Sequence, residues 1–314
     1  MAHRRWISRV DTRSKYQSFL IQYHAGVARD LPIISPFARE LSRLPRTRAP
    51  TLETLTRAFQ TDPFLAAKLT GASNSVFFAQ DHFIVLTVSE AIRRVGVRYA
   101  MNLIWEAPAL PPSLDPDEVA VLWAHCMAVA HAAKLIVTNL PSAPFEPDVA
   151  HLVAIIHDIG YLLQISYSPN TWEDILGRLE REECHMDNAP HELQGEELAK
   201  FWSLPVAAVA AIKSHHEPQR CSDPHARWFS SVIAISEVLL QRNSDPMQVE
   251  ADEWSAETMR KELNVSRELL FQVREQALQV HDACMRYAHR SGGANVVPRL
   301  QLVRTGGDND GSDQ

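Results

Sequence analysis

The sequence predicts an all-α protein. Only 11 of its 314 residues are glycine, and stretches that alternate apolar and polar residues, as half-buried strands do, are few. Apolar residues instead recur at helical spacing between prolines and capping residues. Hydrophobic residues make up 46% of the chain and charged residues 22%, which is ordinary for a globular protein with a sizeable core.

The first third of the chain is predicted to form five short helices. Pro36 suits the first turn of a helix, and Thr51 suits the cap of the next. Leu52, Leu55 and Phe59 then share one helix face. The five predicted helices cover residues 36–44, 52–60, 64–72, 88–95 and 99–105.

Four prolines between residues 108 and 116 predict a boundary, after which the chain is richly apolar and helical. The helices predicted there cover residues 119–137, 147–165, 171–183, 192–202, 206–213, 227–242, 255–263 and 266–288. The Gly-, Asp- and Ser-rich end is predicted to be a disordered acidic tail. We therefore divide the chain into a basic N-terminal segment (1–24), an N-terminal helical lobe (25–112), a second helical lobe (113–290) and the tail (291–314).

The segment Ile156-His157-Asp158-Ile159-Gly160 places a histidine and an aspartate inside the apolar run 149–163. Burying a carboxylate without partners costs several kcal/mol or forces the group to take up a proton. The pair can be stabilised in two ways, by a bound metal ion or by hydrogen bonds within the core. The residues alone leave both possibilities open.

Further imidazoles and one acid occupy other predicted helices of the second lobe. Neutral imidazole and carboxylate suit divalent ions such as Zn, Mn, Fe, Ni or Mg. Each residue alone also fits ordinary core packing or an exposed helix end, so only the combination predicts a metal site. The residues are His125, His191, the pair His215-His216, and Glu237.

The order of these residues resembles the HD superfamily of metal-dependent phosphohydrolases, whose name-giving helix is similar to the segment at 156–160. More closely, residues 25–245 resemble the HDOD branch, which is related to the HD-GYP phosphodiesterases. The segments that carry this resemblance are Leu31-Pro32, Asp62-Pro63, Asn74-Ser75, Ala91-Ile92-Arg93-Arg94-Val95-Gly96, Trp123-Ala124-His125, Phe201-Trp202-Ser203-Leu204-Pro205 and His215-His216-Glu217-Pro218.

The resemblance implies a two-lobe helical HDOD architecture whose second lobe is an HD-type helical bundle. It also implies a bacterial regulatory protein that binds a signalling partner or a small nucleotide-like ligand. Asp158 would bridge the metal ions, and would be the catalytic residue of an active protein. The implied metal ligands are His125, His157, Asp158, His191, His215, His216 and Glu237.

Three departures distinguish this chain from HD-GYP phosphodiesterases. Tyr161 stands where they carry a lysine, the Gly-Tyr-Pro element after the double histidine is absent, and Glu237 replaces an aspartate. A lysine neutralises a transition-state phosphate in a way that a phenol does not. These changes leave metal binding in place and weaken the case for cyclic-dinucleotide hydrolysis.

Three functional hypotheses follow from the residues and the resemblance. The first is a non-catalytic regulatory protein that retains its metal site. The alternative is a phosphohydrolase or phosphodiesterase that cleaves a nucleotide or cyclic dinucleotide with water activated on one or two ions. The third is a helical scaffold in which the histidine and aspartate pairs are ordinary core polar groups.

Charge and hydropathy limit the classes of partner and the cellular compartment that we expect for this protein. The net charge of −7 gives no general attraction to nucleic acid or an anionic membrane. No apolar region follows the N-terminal arginines, so we expect no signal peptide. No apolar run reaches the roughly 18 residues of a membrane span. The sequence thus predicts a cytoplasmic protein without nucleic-acid or membrane partners, and leaves its oligomeric state open.

Overall fold

The chain folds into helices, as its sequence predicts, and the computed structural model describes residues 31–47, 50–79, 83–108, 110, 116–162, 190–240 and 256–291. These ranges contain twelve α-helices, a 3₁₀ turn at Pro218–Arg220 and no strand. The predicted N-terminal segment, the predicted helix at 171–183 and residues 292–314 of the predicted tail lie outside them.

The described part of the first lobe contains five helices, four of which begin at a side-chain cap. Ser35, Thr51, Asp62 and Thr87 each accept a hydrogen bond from the backbone N–H three residues later. Gly96, with a φ of 86°, separates the last two helices. The helices are α1 (Pro36–Ser42), α2 (Leu52–Gln60), α3 (Pro63–Asn74), α4 (Val88–Val95) and α5 (Val97–Trp105).

Asp62 is a fully buried carboxylate that holds the start of this lobe together. One oxygen accepts the backbone N–H groups of Ile34 and Ser35, both at 2.8 Å. The other accepts the N–H of Leu65 at 2.9 Å in the first turn of α3. Burial raises the pKa of Asp62 to about 6, although the three N–H groups oppose the rise. The Asp-Pro motif therefore has a structural role.

The second lobe is built around α6, which packs against α7, α10 and α12. Within the described ranges, Val119–Thr138 of α6 is long and apolar enough to cross a membrane, contrary to our expectation from the sequence. A core helix passes the same test, and 72% of the apolar stretch is buried inside the protein. The helices described in this lobe are α6 (Pro116–Thr138), α7 (Pro147–Ile155), α8 (Pro190–Phe201), α9 (Val206–Ser214), α10 (Pro224–Leu239), α11 (Ala256–Glu262) and α12 (Arg267–Ser291).

The two lobes meet where α2 ends. The Trp123 indole N–H donates to the Thr61 carbonyl at 2.7 Å, and the His151 Nε2–H donates to the Gln60 carbonyl at 2.9 Å. Both donors come from α6 and α7, the helices that lead to the candidate site. The predicted boundary at residues 112 and 113 lies outside the described ranges, so the exact division stays a prediction.

Candidate metal centre

The structure corrects the predicted helix over residues 147–165. Helix α7 ends at Ile155, residues 156–158 form a turn, and residues 159–162 are helical again. The N–H of Ile159 bonds the carbonyl oxygen three residues earlier, at 3.1 Å, where an α-helix would use the fourth. Apolar periodicity did not reveal this break, because buried residues lie on both sides of it.

The break sets the direction of His157 and Asp158. Consecutive side chains of an α-helix point about 100° apart, since the helix has 3.6 residues per turn. After the turn, His157 Nε2 and Asp158 Oδ2 instead lie 3.1 Å apart. The opposite ring nitrogen, Nδ1, donates to the Ala154 carbonyl at 2.6 Å and fixes the ring. Both side chains are buried.

Two glycines allow α8 to pack closely on its neighbours. A Cβ on Gly160 would overlap the carbonyl oxygen of His191, and a Cβ on Gly195 would lie 2.8 Å from Ile212 Cγ2 on α9. A side chain at Gly160 would push α8 away from the turn, whereas one at Gly195 would crowd the Ile212 side chain. The glycine of the His-Asp-Ile-Gly segment is therefore needed for close backbone approach, and that approach brings His191 to Asp158.

Four predicted residues form a first cluster, which consists of His125 from α6, His157, Asp158, and Glu237 from α10. Asp158 Oδ2 lies 3.3 Å from His125 Nε2 and 3.1 Å from His157 Nε2. Glu237 Oε1 lies 3.8 Å from the first of these nitrogens and 3.3 Å from the second. One atom from each residue thus converges on a common point.

The other three form a second cluster, which consists of His191 from α8 and the pair His215 and His216 at the end of α9. His191 Nε2 lies 3.3 Å from His215 Nε2 and 3.1 Å from His216 Nε2. Asp158 Oδ1 lies 3.4 Å from His191 Nε2 and 3.5 Å from His215 Nε2. The two oxygens of Asp158 therefore face different clusters.

The hydrogen bonds leave inward-facing lone pairs in both clusters. His157 and His215 donate through Nδ1 to the carbonyls of Ala154 and Ile212, both at 2.6 Å. In the neutral rings each Nε2 then carries a lone pair that faces Asp158 oxygens. Such lone pairs repel one another unless a cation lies between them, either a proton or a metal ion.

Several buried atoms of the clusters also lack a hydrogen bond. Among the described residues these are His125 Nε2, His157 Nε2, Asp158 Oδ1 and His191 Nδ1. Buried polar atoms without partners are rare in native proteins and call for a specific explanation. This observation disfavours the scaffold hypothesis, in which the pairs would be satisfied by core hydrogen bonds.

Protonation differs between the clusters. Burial lowers the pKa of His157, but the Asp158 and Glu237 carboxylates outweigh it and raise the pKa to about 10. Burial and the neighbouring His215 lower the pKa of His216 to about 4, and burial holds the pKa of His191 well below its usual value. In the second cluster His191 and His216 are therefore neutral, the form that binds metals, whereas the Asp158 and Glu237 carboxylates outweigh burial and raise the pKa of His215. The first cluster can exchange its proton for a metal ion.

The donor set fits divalent ions. Histidine ligands usually donate their second ring nitrogen to a carbonyl or carboxylate, as His157 and His215 do here. A carboxylate whose two oxygens face two clusters is the arrangement of a bridging ligand in a two-metal site. The structure thus brings together all seven residues predicted as ligands, with donors that suit Fe, Mn, Zn, Ni or Mg.

Sequence reasoning missed Glu192, which is buried beside His191. Its Oε1 accepts the backbone N–H of His216 at 3.4 Å, and burial raises its pKa to about 7. Its position next to a predicted ligand was the available signal. Tyr161 also has a role that its sequence position did not predict, because its ring stacks on the His191 ring at 3.9 Å and 16°.

Comparisons with known proteins agree with this architecture. A protein of Treponema pallidum (strain Nichols), itself uncharacterized, is 23% identical over 216 residues, which are 65% of this chain. The match covers 41% of that relative, so this chain spans about two fifths of its length. The crystal structure of the MmoQ response regulator from Methylococcus capsulatus is 19% identical, with a TM-score of 0.57, over 78% of this chain and 98% of that one.

A virulence factor from Campylobacter jejuni has the same fold, with 14% identity, a TM-score of 0.56, and coverage of 80% of this chain and 96% of that one. At such identities the likeness establishes the fold alone. The HDOD domain family matches residues 31–218, more than half of the chain. That range includes every residue of the two clusters except Glu237, and the chain belongs to the HDOD domain family.

Proposed function

We propose that this chain is a bacterial, cytoplasmic regulatory protein that holds divalent metal ions in its second lobe and does not turn over a substrate. Its output is binding, either of a signalling protein or of a small nucleotide-like ligand. The main support for the metal site is that five imidazoles and two carboxylates converge in two clusters with Asp158 between them. The buried atoms without hydrogen bonds support it independently.

The surroundings of Tyr161 support the non-catalytic part of the proposal. Where related phosphodiesterases carry a lysine, this chain has a ring stacked on His191. A neutral phenol gives a substrate phosphate no charge compensation, whereas a preorganised cation is worth several orders of magnitude in rate. The residue at 161 therefore supports the second cluster and supplies no cation to a phosphoryl group.

A metal-dependent phosphohydrolase acting on a nucleotide or cyclic dinucleotide is the second candidate. The two-sided placement of Asp158 favours it, because two-metal hydrolases use such a bridge. Bound ions would supply an activated water and positive charge near the scissile phosphate. The protein itself would contribute the ligand set and fix the ring orientations through the carbonyls of Ala154 and Ile212.

One assay separates these candidates. The full chain, loaded with Mn²⁺ or Fe²⁺, is incubated with bis(p-nitrophenyl) phosphate and with a cyclic dinucleotide, beside the His157→Ala, Asp158→Ala variant. The regulatory proposal expects no release of product above the variant. Turnover by the wild-type chain that disappears in the variant would overturn it in favour of the hydrolase.

A further inference from the structure

Glu237 lies in a position to act on both clusters. It is 4% exposed, on a part of α10 where every residue from 229 to 239 is buried. Its ion-pair partners among the described residues are His125, His157 and His216. The first two belong to the first cluster and the third to the second, so this carboxylate reaches across the site.

The two oxygens of Glu237 have different surroundings. Oε1 faces the first cluster and lies 3.3 Å from His157 Nε2. Oε2 lies 3.6 Å from His216 Nδ1, whereas the Nε2 of that ring lies 3.1 Å from His191 Nε2 in the second cluster. The carboxylate thus faces the ring nitrogen of His216 that points away from the second cluster.

At 3.6 Å this is an ion-pair contact, longer than a hydrogen bond, between the Glu237 carboxylate and His216 Nδ1. A metal-bound histidine generally needs an acceptor for its other ring nitrogen, which fixes the tautomer and raises the basicity of the ligating nitrogen. For His215 that acceptor is the Ile212 carbonyl, at 2.6 Å. For His216 the group facing Nδ1 is the carboxylate of Glu237, which is charged and belongs to the other cluster.

We propose that Glu237 couples the two metal sites, binding the ion of the first cluster through Oε1 and orienting His216 for the second ion through Oε2. This inference rests on the proposed dinuclear centre. A glutamate suits this double role, because an aspartate would place its carboxylate one methylene nearer α10 and could not keep both contacts in place. Glu237 is thus a ligand of one ion and a positioning residue for the other.

The test isolates the second ion. In a His125→Ala, His157→Ala background the first cluster has no imidazole, so the remaining ion reports the second cluster. Zn²⁺ affinity is measured on the full chain by competition with a chromogenic chelator. Adding Glu237→Ala is expected to lower that affinity roughly 10–100-fold, the usual effect of removing such an acceptor. Ser236→Ala, a buried neighbour on α10, is the matched control and is expected to leave it unchanged.

A double-mutant cycle shows whether the effect passes through His216. Once His216→Ala is present, Glu237→Ala is expected to cause no further loss of affinity. If Glu237→Ala does not fold, Glu237→Gln replaces it. Its amide keeps the volume but not the charge, and the expected loss is roughly fivefold.

Three outcomes would count against the proposals, and they are distinguishable. A wild-type chain that binds fewer than two ions overturns the dinuclear centre itself. Two ions in the wild type, with second-cluster affinity unaffected by the Glu237 variants, overturn the coupling alone. An effect of Glu237→Ala that persists in full without His216 overturns the proposed route through that ring.

Discussion

Asp62 and Asp158 are both buried aspartates, yet their surroundings are opposite. Asp62 is 0% exposed and accepts three backbone N–H groups, so both of its oxygens are satisfied by the main chain. Asp158 is 2% exposed, and its nearest partners are ring nitrogens; among the described residues its Oδ1 has no hydrogen-bond partner. Burial alone therefore does not distinguish a structural carboxylate from a metal-binding one.

The pKa directions of the two groups reflect the same contrast. Burial raises the pKa of Asp62 to about 6, since backbone N–H dipoles only partly replace the lost water. Burial acts in the same direction on Asp158, but the surrounding imidazoles outweigh it and hold its pKa well below the usual range. A carboxylate kept ionised among imidazoles is suited to bind a cation, whereas one among main-chain donors stabilises the fold.

The largest expected difference between substitutions at Asp158 and at Asp62 is in the metal content of the protein. Elemental analysis of the chain purified without chelators is expected to find about two equivalents of a transition metal. The His157→Ala, Asp158→Ala variant is expected to lose most of it, because both clusters lose a shared ligand. Asp62→Asn is the matched control and is expected to keep the full content. Equal metal in wild type and the double variant would contradict the assignment.

The free energy of unfolding, in contrast to metal content, should depend strongly on Asp62. Asp62→Ala leaves the N–H groups of Ile34, Ser35 and Leu65 without their acceptor. At about 1–3 kcal/mol for each unsatisfied group, and with some relief from water, we expect a loss of about 3–5 kcal/mol. Urea unfolding of both chains in EDTA measures it. A loss below about 1 kcal/mol would mean that these bonds do not hold the lobe together.

The pH dependence gives a third contrast. The pKa of Asp62 is about 6 in the fold against an ordinary 3.8, so the folded chain binds this proton more tightly than the unfolded chain. The stability that this proton gives to the fold is therefore fully present below the unfolded pKa of Asp62 and is lost as the pH rises through about 6. This loss amounts to about 3 kcal/mol. The Asp62→Asn variant has no carboxyl group at this position and is expected to lack this pH dependence.

The measurement compares the unfolding free energies of wild type and Asp62→Asn in EDTA, at about pH 4 and about pH 7. The stability of the wild type relative to the variant is expected to decrease as the pH is raised from about 4 to about 7. Because both chains contain the same histidine clusters, the other titrations largely cancel. A difference between the chains that does not change with pH would show that Asp62 has an ordinary pKa.

The smallest effect concerns the close packing beneath Asp158. Gly160→Ala places a methyl group against the His191 carbonyl, and we expect a loss of about 1–3 kcal/mol together with weaker metal binding. Gly96→Ala is the control. Its φ of 86° with a ψ of 151° is a conformation that residues other than glycine rarely adopt, so the change is unfavourable by about 1–3 kcal/mol, but it has open space around it, so metal content should not change. Metal binding lost equally in both would indicate general unfolding.

The sequence determined the helical class, most helix ends and the identity of the seven candidate ligands. Apolar spacing, caps such as Thr51 and Asp62, and prolines at first turns are local signals, so they can be read along the chain. The break after Ile155 could not be read in this way, because the residues around it are buried on every side and show no periodicity.

Only the tertiary structure decided how those ligands are grouped. The division into two clusters, the two-sided placement of Asp158 and the reach of Glu237 to His216 depend on how α6, α8, α9 and α10 pack around the turn after α7. Contacts between residues more than twenty positions apart leave no periodic trace in a sequence. The residue types therefore identified the chemistry, and the packing of distant helices determined its geometry.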